Sequence, residues 1–181
     1  AFVPKELVGT EQAVFPLDVF FCGTCGHVQL LDVVDPQLLF ENYVYVSGTS
    51  PVFVKHFEDY ANDVLNTYQP PKGTLVVDIG SNDGTLLSFF QKAGQTVLGI
   101  DPAKGISQEA TKRGIETWCD FFTPDLSKRI KTARGAAHVI TANNVFAHAD
   151  DLVGIVQGVW DLLAPEGVFV FEVSYLVDVF E

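Results

Sequence analysis

The sequence predicts an α/β protein, a doubly wound and mostly parallel sheet with a small N-terminal β-hairpin module in front of it. Three observations point there. From residue 74 onward, short apolar β-rich runs alternate with helical ones. The first of them, Thr74–Thr85 (TLVVDIGSNDGT), passes from an apolar core through a glycine-bearing turn into a helical run. Residues 1–50 lack this rhythm and carry instead a Cys22-Gly-Thr-Cys-Gly26 turn between two apolar runs.

Taken in order, Val14–Phe21 and Val28–Val34 read as short strands around that turn, a hairpin with a cysteine knuckle. Two thiolates at the spacing of Cys22 and Cys25 can grip one zinc ion, and the glycines free backbone N–H groups to point at sulfur. A redox dithiol fits less well, because no thioredoxin-like strand and helix flank the pair. A structural zinc needs four ligands and no second CxxC occurs; Cys119, His27 or His56 would join only by accident of folding. Asn42–Ser50 is aromatic and hydroxyl-rich. Pro51 then opens a helix to Tyr68 with Phe53, Phe57, Ala61, Val64 and Leu65 on one face, ended by the prolines of Gln69–Gly73. The domain reading is therefore 1–50 for the hairpin module, 51–73 for a helix and linker, and 74–181 for the α/β domain.

Within that domain, Leu75–Val77, Thr96–Ile100, Ile115–Cys119, His138–Ala142 and Val168–Val173 are the expected strands. Leu86–Ala93, Ile106–Arg113, Asp125–Thr132 and Asp150–Leu163 are the expected helices, and Ala164–Gly167 is a turn. Strand–helix alternation implies parallel, right-handed crossovers and a Rossmann-like sheet.

A chain of 181 residues, 48% of them hydrophobic, is ample for a packed core. Its net charge of −12 argues against nucleic acid as a partner, since phosphate neutralisation needs Lys and Arg. No apolar run approaches the ~20 residues of a membrane span. No signal peptide is visible, and three cysteines do not make a disulfide framework, so cytoplasm is the expected compartment.

Ligands of such sheets bind at the carboxyl ends of the strands. The Gly80 turn is not a pyrophosphate loop. It lacks the third glycine of GxGxxG, and Asp78 and Asp83 would repel a diphosphate. A carboxylate-rich turn with Asn82 suits a ligand carrying an amino group and a sulfonium, which describes S-adenosylmethionine better than NAD. Asp101 lies ~20 residues on, where a carboxylate takes both ribose hydroxyls, although before Pro102 it can equally cap a helix. Phe121 and Phe122 can clamp an adenine whose amine Asp120 accepts, or they are core. Asn143 and Asn144 end the fourth strand as exposed polar groups, with His148 beyond them. His56 and His138 are expected to be structural.

The segments FPLDVFFCGTCGHVQL, YVYVSGTS, VVDIGSNDGTLL, LGIDPA, NNVFAHADDL and EVSYL, in this order, resemble the sugar C-methyltransferases that act on nucleotide-linked keto-deoxysugars. The resemblance covers most of the chain. It implies a zinc-binding N-terminal module, a class I methyltransferase domain and a nucleotide-sugar substrate, with zinc structural in the full-length protein. It also implies a catalytic Tyr in YVYVSGTS, Tyr43 or Tyr45, and a catalytic His148 in NVFAH. The resemblance further implies a Cys pair upstream, a Tyr-His-Glu-His segment shortly after the fifth strand that is implicated in catalysis, and two more strands. The expectation is therefore a fragment, truncated at both ends and a poor catalyst. The competing readings are a nicotinamide-dependent oxidoreductase on the same sheet and a non-enzymatic zinc-knuckle interaction module.

Overall fold

The computed structural model describes residues 3, 5–41 and 43–175 and divides the chain into two compact units, residues 1–44 and 45–181. The division falls after Val44 rather than at residue 50, because the backbone of Tyr45–Gly48 is hydrogen-bonded to the turn after the first strand of the larger unit.

In the first unit β1 (Val19–Phe21) and β2 (Val28–Leu30) pair antiparallel over three rungs, from Val19↔Leu30 to Phe21↔Val28. This is the expected hairpin, but shorter at both outer ends. Val14, Leu17 and Val33 are exposed and lie outside the pairing. A short helix α1 (Pro36–Phe40), not foreseen, starts with Pro at its first position and with Asp35 accepting the N–H of Gln37 at 2.9 Å. None of the described residues of this unit is buried.

The second unit opens with α2 (Pro51–Tyr68), capped by Ser50 and ended at Gln69 in a left-handed conformation. Then follow β3 (Leu75–Ile79), α3 (Thr85–Lys92), β4 (Thr96–Ile100), α4 (Lys104–Lys112), β5 (Thr117–Trp118), α5 (Pro124–Arg134), β6 (Ala137–Asn143), α6 (Leu152–Leu162) and β7 (Leu163–Glu172). The sheet order is β5-β4-β3-β6-β7, all parallel. β7 starts earlier than expected: Leu163 pairs with Ala137 before a bulge over 164–167, and pairing resumes at Val168 with Val139.

Alternation along each strand builds two cores. Leu75, Val77, Ile79, Leu98, Ile100 and Ile140 face Leu126 and Ile130 of α5 and Val159 and Leu162 of α6. Val76, Val97 and Val139 face Phe57, Ala61 and Val64 of α2 and Leu87 and Phe90 of α3. Helices thus cover both faces, and α2 belongs to the core of the larger unit rather than to a linker. Among the described residues, no helix is long and apolar enough to cross a membrane.

Candidate functional site

The winding of the sheet reverses between β3 and β6, so the crevice beyond their carboxyl ends is where a ligand belongs. The loops after these two strands touch there. Gly80 has φ of 73°, and a Cβ on it would lie 2.6 Å from Cγ2 of Val145, so a side chain at this position would drive the loops apart. The N–H groups of Gly80 and Ser81 both donate to the carbonyl of Ile100, at 2.8 and 3.1 Å, tying the turn to the end of β4.

Asp101 follows Ile100. One carboxylate oxygen accepts the N–H of Asn82 and the other that of Ala103, each at 2.8 Å. Burial pushes its pKa up, and the two N–H bonds oppose the shift. Each oxygen keeps acceptor capacity, so the fixed carboxylate can take a pair of vicinal hydroxyls. Pro102 contributes a backbone carbonyl that accepts the Cys119 thiol at 3.5 Å. Asp78 lies deeper. Burial, and then the charge of Asp101, push its carboxyl up to about 7, against a 2.6 Å bond from the Thr141 hydroxyl.

Asn82 and Asp83 face the protein rather than an open pocket. The Asn82 amide accepts the N–H of Ser47 and donates to the carbonyl of Tyr45, both at 2.9 Å. Asp83 accepts the N–H and hydroxyl of Thr85 at 3.2 and 2.7 Å and the N–H of Gly48 at 3.2 Å, with Arg113 3.6 Å away. Together they latch 45–49 onto the turn. A Cβ on Gly48 would sit 2.5 Å from Oδ2 of Asp83.

Phe122 is 7% exposed and packed in the α5/α6 core, against Gly158. Its ring is spent on core packing rather than presented at the strand ends, whereas Phe121 beside it is half-buried. Asp120 accepts the N–H of Phe121 at 3.0 Å and pairs with Arg129 at 3.2 Å. Beyond β6, Asn144 is left-handed (φ 56°), donates its N–H to Glu172 at 2.7 Å and accepts the Ser174 hydroxyl at 3.5 Å. His148 is exposed at the end of a 3-10 turn, Phe146–His148, whose Phe146 packs on the core.

On the α2 side of the sheet a polar cluster runs up from Asp78 through Thr141 and Asn143 to Glu172. Both polar atoms of the Asn143 amide are buried without a hydrogen-bond partner, as is the Ser81 hydroxyl. Tyr60 of α2 lies beside Asn143 but donates to the carbonyl of Val170 at 3.2 Å. Burial, then the charges of Asp78 and Glu172, hold its pKa well above the usual tyrosine range. His56 Nε2 meets Glu172 Oε2 at 2.8 Å. Sequence reasoning missed this cluster. Its signals were Asp78 and Asn143, because Tyr60 and Glu172 are far apart in the chain and carry no motif.

Tyr43 and Tyr45 do not share a strand face. No regular strand forms at 43–46, and the two fall in different units. Tyr43 meets Phe40 edge-on at 6.0 Å, and Tyr45 meets Phe53 at 6.4 Å. His138, on β6, has a buried Nδ1 without a partner. Cys22 and Cys25 are both free. The Cys22 thiol is shifted down by the backbone N–H groups of Cys25 and Thr24, as a zinc knuckle requires. No cluster of three metal-binding side chains forms among the described residues, so the module offers two zinc ligands.

Orphaned polar atoms at Ser81 and Asn143, a glycine cradle at Gly80 and a carboxylate with spare acceptor capacity at Asp101 fit a polar, cationic, hydroxyl-bearing cofactor better than a diphosphate. The comparisons agree. Residues 77–169, just over half of the chain, match the family described as "Methyltransferase domain", and residues 1–40 match "Putative zinc binding domain". The C-methyltransferase NovU of Streptomyces niveus is 36% identical over 178 residues, 96% of this chain and 42% of that protein. A ubiquinone biosynthesis O-methyltransferase of Ralstonia nicotianae is 26% identical over 58% of this chain and 45% of that protein. The chain thus spans less than half the length of either. Among solved structures, the plantazolicin methyltransferase BpumL in complex with a triazolic desmethylPZN analog and SAH superposes with a TM-score of 0.55. It is 16% identical over 70% of this chain and 49% of that one. The zinc-binding module precedes a parallel sheet of methyltransferase topology, and the chain belongs to the methyltransferase-domain family.

Proposed function

We propose that the chain is the cofactor-binding part of an S-adenosylmethionine-dependent C-methyltransferase whose acceptor is a nucleotide-linked keto-deoxysugar. The observation that carries the cofactor reading is Asp101, a buried carboxylate clamped by Asn82 and Ala103 beside a glycine turn that no side chain can fill. The acceptor reading rests on the relation to a C-methyltransferase and on the sequence resemblance.

In this reading Asp101 takes the ribose hydroxyls, the Gly80 turn lets the cofactor approach the backbone, and Phe121 and Asp120 border the adenine. Asn143 and Asn144 supply polar groups at the methionine end. The cofactor supplies an electrophilic methyl on sulfonium. The protein's share is to orient the acceptor, exclude water and manage one proton. His148, beyond β6, hydrogen-bonds the acceptor's oxygen as charge develops on it, and Tyr45, latched over the turn, is the phenol candidate of this unit. In a full-length protein, zinc held by Cys22 and Cys25 together with further ligands is structural and remote from the chemistry.

Calorimetry with S-adenosylhomocysteine and with NAD tests the reading. Binding of the first and not the second is expected. The reverse result would replace it with the nicotinamide-dependent alternative.

A further inference from the structure

Resting on this methyl-transfer reading, we propose that Tyr60 of α2 grips the amino-acid end of the cofactor together with Asn143. The Asn143 amide meets both the ammonium and the carboxylate of that end, and the Tyr60 hydroxyl donates to the carboxylate. The order of the strands places that end. With the adenine bordered by the loop after β5 and the ribose on Asp101 after β4, a cofactor lying along the carboxyl edge runs on over β3 and β6. Asn143 is the last residue of β6. Strand alternation sets it on the same face as Thr141 and Val139, which is the face that α2 covers. Asp78 of β3 stands in register with Thr141 and accepts its hydroxyl at 2.6 Å.

The Asn143 amide carries the chemical argument. Its Oδ1 and Nδ2 are both buried, and neither has a hydrogen-bond partner among the described residues. Such a group is costly, and a native structure keeps one for a reason. An amide oxygen accepts and an amide nitrogen donates, so a ligand that satisfies both must offer a donor and an acceptor side by side. An α-amino acid does this, with its ammonium and carboxylate on one carbon. Asn143 ends its strand, so its side chain can turn toward the crevice without moving the sheet.

Tyr60 supplies the second donor. Its hydroxyl lies beside Asn143 and donates to the carbonyl of Val170 at 3.2 Å, long for an O–H···O bond, whose usual length is about 2.7–2.8 Å. The hydroxyl is thus only loosely held by the fold, while the ring packs against the core on the α2 side. Burial and the neighbouring charges of Asp78 and Glu172 keep the phenol protonated, so it remains a donor. Of those two charges, Asp78 favours the ammonium, and Glu172 is engaged by His56 at 2.8 Å.

The test needs binding alone. Calorimetry compares S-adenosylhomocysteine with 5′-methylthioadenosine, which keeps the adenosine and the sulfur but lacks the amino-acid end. The wild-type chain should bind the first more tightly. Tyr60→Phe and Asn143→Leu should each lose about 10–100-fold in affinity for S-adenosylhomocysteine, the usual effect of a hydrogen bond to a charged group. Both should bind 5′-methylthioadenosine as wild type does. Without ligand, Asn143→Leu should melt at or above the wild-type temperature, because it replaces an unpaired buried amide by an apolar group of similar shape. Unchanged S-adenosylhomocysteine affinity in both variants overturns the assignment. So does an equal loss for the two ligands, which would make the pair a support of the fold, and so does a wild-type chain that does not distinguish them. A wild-type chain that binds neither ligand overturns the methyltransferase reading itself.

Discussion

Asp101 and Asp78 look alike in the sequence, each an aspartate in the last positions of a strand or just past it, yet the structure gives them different work. Asp101 holds two backbone N–H groups and has acceptor capacity to spare. Asp101→Ala should weaken S-adenosylhomocysteine binding by about 1–3 kcal/mol, the usual cost of unpaired polar groups. It should also loosen the Asn82 turn, so Asp101→Asn, which keeps one acceptor oxygen, is the control. Wild-type affinity in both variants would refute the ribose assignment. Asp78, with its carboxyl pushed up to about 7 by burial, is a pH sensor of stability. The unfolded chain ionises it near 3.8, so its contribution is fully present below that pH and is lost as pH rises through about 7. The whole effect is about 4 kcal/mol at most, at 1.36 kcal/mol per pKa unit. Urea unfolding should therefore find Asp78→Asn more stable than wild type at pH 8, with the gap narrowing toward pH 5. A gap independent of pH would show that Asp78 ionises freely in the folded protein.

At the scale of elements, strands and helices of the sheet were readable because each is a local pattern: a run of β-branched residues, a helical apolar stripe, a proline or glycine stop. What escaped the sequence is non-local. Nothing local told Phe122, in the core, from Phe121, half-buried. Asn82 and Asp83 look like ligand-binding polar groups in the sequence, but they spend their hydrogen bonds on Tyr45, Ser47, Gly48 and Thr85. The His56–Glu172 pair joins α2 to β7 with no motif to announce it. The 45–49 latch gives the element-scale prediction. A methyl at Gly48 would meet Asp83 Oδ2 at 2.5 Å and Thr85 Oγ1 at 2.8 Å. Gly48→Ala should thus cost about 1–3 kcal/mol as an overpacked contact. It should also weaken S-adenosylhomocysteine binding, because the displaced turn carries Gly80. Gly105→Ala, where a Cβ has open space, is the comparison. Unchanged melting and affinity in Gly48→Ala would mean that the latch does not support the turn.

Across the whole molecule, the two units are built on different physics. The larger one buries two apolar layers against its sheet. The smaller one, residues 1–44, has no buried residue among those described, and its hairpin has three rungs. Domains this small rarely hold together by a core alone and commonly use metal. Its match to a zinc-binding family and the free, N–H-stabilised Cys22 thiol beside Cys25 agree with that. Two thiolates, however, do not close a tetrahedral site, and the described residues gather no third ligand nearby. The chain should accordingly hold zinc loosely. A mild chelator should strip it, Cys22→Ser and Cys25→Ser should each abolish uptake, and metal analysis after dialysis should find well under one zinc per chain. The residues assigned above to the cofactor, from Asp78 to Asn144, lie in the larger unit, so S-adenosylhomocysteine affinity should not change on stripping. One chelator-resistant zinc per chain would show that the knuckle finds its full ligand set. Loss of S-adenosylhomocysteine binding on stripping would show that the metal supports the cofactor site and not the hairpin alone.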